Sequence, residues 1–317
     1  MSALRKFLTR IAIRLGPDHI AIRPLLERRC RQFGCRFRVL DNTVELQKDD
    51  RVLVLARQHF VYTLDLAERF EVYFDPVTPS EKAGRRVVDY SKPRLQTYRR
   101  TGLQFELASF PEEDDAIESY FRRYRPRRGG LVFDVGAHCG VSTYHLSTLV
   151  GSEGKVIALE PDPLNHSLLL RNIARHKLTN VTPVRAALGA ANGTAVFQAE
   201  GTIGSCLSHY SSRATVGQTE TVETLTLSEA FRRWGTPDFC KIDIEGAEIE
   251  ALDAARDILP NCNTQFALDT NHVVNGSRTD EAVEKIFKEC GLWSESERSA
   301  GTTWAGPQTP ESNHSAG

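Results

Sequence analysis

Long apolar runs are missing from this chain: no stretch reaches the roughly 18 residues that a membrane-crossing helix needs. Net charge is nearly missing too. Lys and Arg number 40 against 41 acids, so no overall field draws the chain to nucleic acid. There is no C-x-x-C pair. The seven cysteines are odd in number and scattered, and Cys240 lies inside an apolar stretch. That set argues for reduced thiols and against a zinc site. The first residues hold no uninterrupted apolar stretch of signal-peptide type, so a cytoplasmic protein is expected. The G-x-G-x-x-G fingerprint of dinucleotide binding is absent as well.

What is present is an ordinary globular composition. The 317 residues are 40% hydrophobic and 26% charged, enough for one large or two modest domains with a real core. Residues 1–38 hold ten Arg or Lys against two acids, with Leu4, Phe7, Leu8, Ile11 and Leu15 interleaved. This spacing predicts an amphipathic basic helix, broken near Gly16-Pro17. Such a helix docks on anionic lipid or a partner, which would make the protein membrane-peripheral, or it packs on the body. Residues 36–75 alternate and predict short strands in hairpins. Ser109 and Glu112 form a capping box ahead of the stripe Ile117, Tyr120, Phe121 and Tyr124, and Pro126 stops that helix. Five arginines at 122–128 read as an anion receiver or a solvated helix end. Residues 1–125 are thus expected to be an α+β extension that selects substrate or docks.

From residue 130 the pattern is regular: strand 131–135, helix 140–150, strand 155–160, a helix to about 176, strand 181–188, and short β pieces to 225. Helix 227–234, strand 238–244, helix 247–259, strand 264–269, helix 280–290 and a final hairpin follow. Strands alternating with helices predict an α/β domain over 126–305, mostly parallel, with helices on both faces. Residues 306–317 read as a disordered polar tail.

Two stretches carry chemistry. In "FDVGAHCGVST" a strand ends on Asp134, and Gly136 and Gly140 let a ligand approach the backbone. Asp134 would repel a pyrophosphate and suits the cationic amino group of a methionine moiety. Glu160, 26 residues later at the end of the next strand, can accept the hydroxyls of a ribose. Together they favour S-adenosyl-L-methionine over NAD. In "KIDIEGAE", Lys241, Asp243 and Glu245 alternate and so share one strand face. Three charges at the end of a parallel strand point to a polar site or an internal ion-pair network.

"FDVGAHCGVST", "VIALEPDPLNHSLLLRNI", "VETLTLSEAF" and "FCKIDIEGAEIEAL" together resemble the FkbM-type S-adenosylmethionine-dependent methyltransferases over roughly residues 130–295. The resemblance implies a Rossmann-like class I methyltransferase fold and O-methylation, often of a sugar hydroxyl on a glycolipid, polysaccharide or natural product. Carried over by position, Asp134, Gly136 and Gly140 would hold the methionine part and Glu160, followed by Pro161, the ribose. His138 stands where the family usually has Asn and is a further cofactor contact. Asp243 would sit at the methyl-transfer end. After strand 264–269, Asp269 and His272 are candidates from an acid and a nearby His.

Methyl transfer needs alignment, and an alcohol gains from a base. Asp243 or His272 is the expected base, with Lys241 and Glu245 orienting it. No metal is expected, because no clear second Asp-Asn pair accompanies Asp243. The acceptor is a hydroxylated small molecule or glycan, with Tyr62, Tyr73, Tyr98, Tyr120 and Tyr124 available to stack on sugars or to fill core. A scaffold without turnover and an NAD-dependent oxidoreductase are the alternatives.

Overall fold

In the computed structural model of the chain, the described residues are 12, 14–111, 116–202, 204–208, 218–274 and 276–307. Much of the expected basic helix before Gly16, Glu112 of the expected cap, and nearly all of the expected tail lie outside them. The described residues divide into two compact units. One holds the chain up to residue 111 with residues 198–202, 204 and 218; the other holds 116–197, 205–208 and 219–307.

In the first unit, β1 (Arg36–Val39), β2 (Thr43–Lys48) and β3 (Arg51–Ala56) run as an antiparallel meander. β4 (Ser80–Lys82) and β5 (Arg85–Tyr90) complete a sheet of order β1-β2-β3-β5-β4, and β6 (Arg94–Thr97) pairs with β7 (Gln104–Leu107). The strand pattern expected up to residue 75 stops at Ala56. Arg57–Tyr62 is a 3-10 helix, and Thr63–Glu68 and Phe70–Phe74 are α-helical. Leu66, Phe70 and Phe74 explain this: they recur every four residues and are fully buried in one core, a helical period that a dense apolar run conceals. Tyr62 belongs to the same core, and its hydroxyl donates to buried Glu200 at 2.6 Å. Tyr73 and Tyr98 are also buried, so none of the three offers a ring to a sugar.

The second unit is built from β8 (Leu131–Val135), β9 (Lys155–Leu159) and β10 (Val181–Val184), then β11 (Ala186–Leu188), most of β12 (Gly193–Ala199), β13 (Cys206–Leu207) and all but the first residue of β14 (Gln218–Leu225). β15 (Phe239–Ile242), β16 (Gln265–Asp269), β17 (Val273–Val274), β18 (Ser277–Arg278), β19 (Trp293–Glu297) and β20 (Thr302–Gly306) follow. Seven of these form one sheet in the order β10-β9-β8-β15-β16-β20-β19. Neighbours are parallel except at β20, which runs antiparallel to both β16 and β19. β8 is central: β9 lies on one side and β15 on the other, so strand order reverses at its carboxyl end. Ligands bind at such a switch point in open α/β sheets. A separate sheet runs β11-β14-β12-β13.

Alternation along the strands fills two cores. Phe133, Val135, Ile157, Leu159, Cys240, Ile242, Phe266 and Leu268 pack with residues of helices Leu227–Trp234, Glu248–Asp253 and Asp280–Glu289. Val132, Val156, Phe239, Ala267 and Trp304 pack with Tyr120, Phe121, Leu146 and Val150. The period of two thus puts helices on both faces, as a parallel sheet requires. Asp162 caps helix Pro163–Arg175 through Leu164 N (2.8 Å) and Asn165 N (3.1 Å). All seven cysteines are unpaired and buried.

Some elements differ from expectation. The strand predicted at 181–188 splits at Arg185: Val181–Val184 pairs with β9 and Ala186–Leu188 with β14. The helix predicted at 247–259 is regular only over Glu248–Asp253. Arg122, Arg123, Arg125 and Arg127 are ion-paired to Glu297, Glu295, Glu118 and Asp238, so the arginine run ties its own unit together. Among the described residues, no helix is long and apolar enough to cross a membrane.

Candidate active site

The turn after β8 is built from its own backbone. Gly136 N and Ala137 N both donate to Leu159 O at 2.9 Å, His138 N donates to Glu160 Oε2 at 2.8 Å, and Gly140 N donates to Ala137 O at 2.8 Å. These amides are therefore engaged within the chain and do not form a phosphate cradle. The glycines also serve the fold. A Cβ on Gly136, whose φ is +79°, would lie 1.8 Å from the carbonyl oxygen of Asp243. A Cβ on Gly140 (φ +90°) would lie 2.6 Å from Leu169 Cδ1. The close approach expected from a ligand is made here by the protein itself.

Asp134 is fully buried. Its Oδ2 accepts from Ser142 Oγ (2.8 Å) and Thr143 Oγ1 (2.6 Å), and Lys241 Nζ stands 3.4 Å from Oδ1. Asp134 and Lys241 are register partners on β8 and β15, which explains the buried pair. Lys241 also donates to Gly136 O at 2.7 Å and lies 5.7 Å from the Tyr120 ring centroid. Asp134 binds the start of helix Val141–Val150 and Lys241, and Lys241 braces the glycine turn, as in the internal ion-pair network that the sequence left open beside a polar site.

Glu160 ends the next strand. Its Oε2 accepts His138 N, and its Oε1 accepts Asp162 N at 2.9 Å. Burial first, and the Asp162 charge second, push its pKa up to about 7. Pro161 follows between these two acids. His138 is buried with a positive φ of 49°, its Nε2 3.7 Å from Cys139 Sγ.

A second group gathers after β15 and β16. β15 ends at Ile242, so Asp243 and Glu245 stand on the following turn, off the strand face on which the sequence placed them. Glu245 adopts a φ of +56° and Gly246 one of +109°. His272 Nε2 lies 3.7 Å from both Asp243 Oδ1 and Glu245 Oε1, and its Nδ1 lies 3.0 Å from Glu248 Oε1. Tyr120 donates to Asp243 Oδ2 at 3.3 Å. Burial would lower the His272 pKa; the Glu248 and Glu245 carboxylates outweigh it and hold the imidazole well above its ordinary range. The imidazole therefore holds a proton more tightly here than a free histidine does. Burial first, then Asp243, raises the pKa of Asp269. Asp269, a candidate from the sequence, supplies a second acid beside Asp243.

Glu248 was missed as a site residue. It accepts from Ile244 N and Gly246 N, both at 3.2 Å, and so shapes the turn that presents Asp243 and Glu245. The second Glu of E-G-A-E was its only sequence signal.

Residues 134–291 match the Methyltransferase FkbM domain. This domain belongs to the FkbM methyltransferase family. Its sheet order is that of the Rossmann-like class I methyltransferase fold. Among solved structures, the chain is similar to methyltransferase FkbM from Methylobacillus flagellatus KT (TM-score 0.43, 18% identity, covering 60% of this chain and 47% of that one). It is also similar to a precorrin-6y C5,15-methyltransferase from Geobacter metallireducens GS-15 (0.40, 16%, 60% and 78%). A third is Aeropyrum pernix fibrillarin with natively bound S-adenosyl-L-methionine (0.38, 12%, 85% and 97%). The chain spans about half the length of the Methylobacillus protein. No curated protein matches it.

FkbM methyltransferases use S-adenosyl-L-methionine. The residues present fit its adenosine end. Each Glu160 oxygen holds one backbone N–H and keeps a lone pair for a ribose hydroxyl, at the sheet's switch point.

Proposed function

We propose that the FkbM domain methylates a hydroxyl of an acceptor, with sugar hydroxyls of a glycolipid, polysaccharide or natural product as the substrate class. One contact supports this reading above all. The backbone of Asp243 meets Gly136, so the acid group starts within van der Waals reach of the glycine turn. A donor held beyond Glu160 and an acceptor held at Asp243 would then be neighbours, and proximity is most of what this chemistry asks of a protein.

S-Adenosylmethionine, when bound, supplies an activated methyl group. Glu160 would hold the ribose through the free lone pairs of its two oxygens. Lys241 fixes the carbonyl of Gly136 and keeps the turn in register with β15. Asp243 and Glu245, with side chains 30% and 33% exposed, remain open to an incoming molecule. Carboxylates only accept hydrogen bonds, so the cluster favours an acceptor rich in O–H donors, such as a sugar. Asp243, steadied by Tyr120, takes the hydroxyl proton. His272 stands among the carboxylates of Asp243, Glu245 and Glu248 and orients them.

The test is S-adenosylhomocysteine release from the full chain with S-adenosylmethionine and a panel of sugars, alcohols and amines. Turnover confined to hydroxyl acceptors, and lost in Asp243→Asn, supports the reading. Turnover on amines alone, or full activity in Asp243→Asn, overturns it.

A further inference from the structure

Asp243, Asp269 and His272 each place one ligand atom within 4.8 Å of the others'. Their spacing is set by the sheet. Asp243 follows β15, Asp269 ends β16, and these strands are parallel neighbours with Ile242 opposite Leu268. His272 comes from the loop after β16. Its Nε2 is 3.7 Å from Asp243 Oδ1 and 3.7 Å from Glu245 Oε1. These separations exceed a hydrogen bond, so the three groups surround a gap without closing it.

The other side of the imidazole provides an independent observation. Nδ1 faces Glu248 Oε1 at 3.0 Å. The Glu248 side chain is 0% exposed, and its Oε2 has no hydrogen-bond partner among the described residues. A buried carboxylate thus stands behind one ring nitrogen, while the other, Nε2, faces Asp243 and Glu245. Metal-bound histidines are oriented in this way.

We propose that Asp243, Asp269 and His272 bind a divalent cation, with Glu245 at the rim and Glu248 as the positioning residue behind His272. Two carboxylate oxygens and one imidazole nitrogen suit Mn²⁺ or a neighbouring first-row ion better than Ca²⁺, which takes oxygens alone. Three protein ligands leave coordination positions open. The exposure of Asp243 and Glu245 puts those positions toward solvent, where an acceptor hydroxyl could bind and be polarised. That use rests on the function proposed above; cation binding itself does not.

The experiment is a titration of the chelator-stripped full chain with Mn²⁺, followed by the loss of the free-ion electron paramagnetic resonance signal. Asp269→Asn and Glu248→Gln are titrated alongside, and S-adenosylhomocysteine binding is measured on every sample. The expected result is one site in the wild type, weakened at least about tenfold in both variants, with S-adenosylhomocysteine binding unchanged. Should Glu248→Gln fail to fold, Asp269→Asn and the wild type still decide. No Mn²⁺ binding, or binding equal in wild type and Asp269→Asn, overturns the proposal while S-adenosylhomocysteine binding keeps the methyltransferase reading intact. One Mn²⁺ bound without any S-adenosylhomocysteine supports the cation site and counts against that reading.

Discussion

The glycine turn and the acid group stand at the ends of neighbouring strands and are built on opposite plans. Around the turn, polar groups are matched from inside: Asp134 by Ser142, Thr143 and Lys241, Gly136 O by Lys241, and Glu160 by two amides. Around His272, acids outnumber cations: Asp243, Glu245, Glu248 and Asp269 share one imidazole. A self-matched region reads as architecture that presents a ligand-binding edge. A region with surplus charge of one sign reads as waiting for a partner.

Substitutions can break or sharpen that contrast. The largest effect is expected at Gly136→Ala, where a Cβ would meet backbone. It should cost more than about 4 kcal/mol in thermal or denaturant melts. Gly140→Ala meets only the tip of Leu169 and should cost clearly less; equal losses would mean that the Asp243 contact is unimportant. Next is Lys241→Met, which strands Asp134 in the core. About 3–5 kcal/mol of stability should vanish, and a neutral result would contradict the matched picture.

Asp269→Asn should behave oppositely. Removing a carboxylate whose ionisation is resisted by burial and by Asp243 should leave the metal-free protein at pH 8 as stable as wild type, or up to about 1 kcal/mol more so. A melt that falls by several degrees would erase the difference between the regions. The smallest effect concerns pH. The pKa of Glu160 is raised on folding, so its contribution is fully present below the unfolded carboxylate range and is lost as pH rises toward about 7. Between pH 5 and 8 the wild type should therefore lose roughly 1–3 kcal/mol more than Glu160→Gln in ligand-free melts. Parallel curves for the two proteins would remove Glu160 as the source.

The sequence carried the rhythm of the second unit well, because each buried parallel strand is short, apolar and closed by a turn or cap. It carried the first unit less well. The stretch after Ala56 is apolar at nearly every step, so strand and helix periods coincide until the packing of Leu66, Phe70 and Phe74 separates them. In the site, glycines and acids were visible as residue types, but their partners were not. That Lys241 faces Asp134 follows from strand register, and that Asp269 approaches Asp243 follows from strand order. Neither can be read from separation along the chain. Glu248 was hidden for the same reason: an acid between apolar helix positions looks solvated until a buried imidazole is set against it.

The carbonyl of Asp243 occupies the place that a side chain on residue 136 would need. Two main-chain segments thus act as a fixed gauge between the half-sites, with no rotamer in the linkage. Exchanging the side chains that line either half can change what is held there, while the interval between the halves stays where the backbone set it.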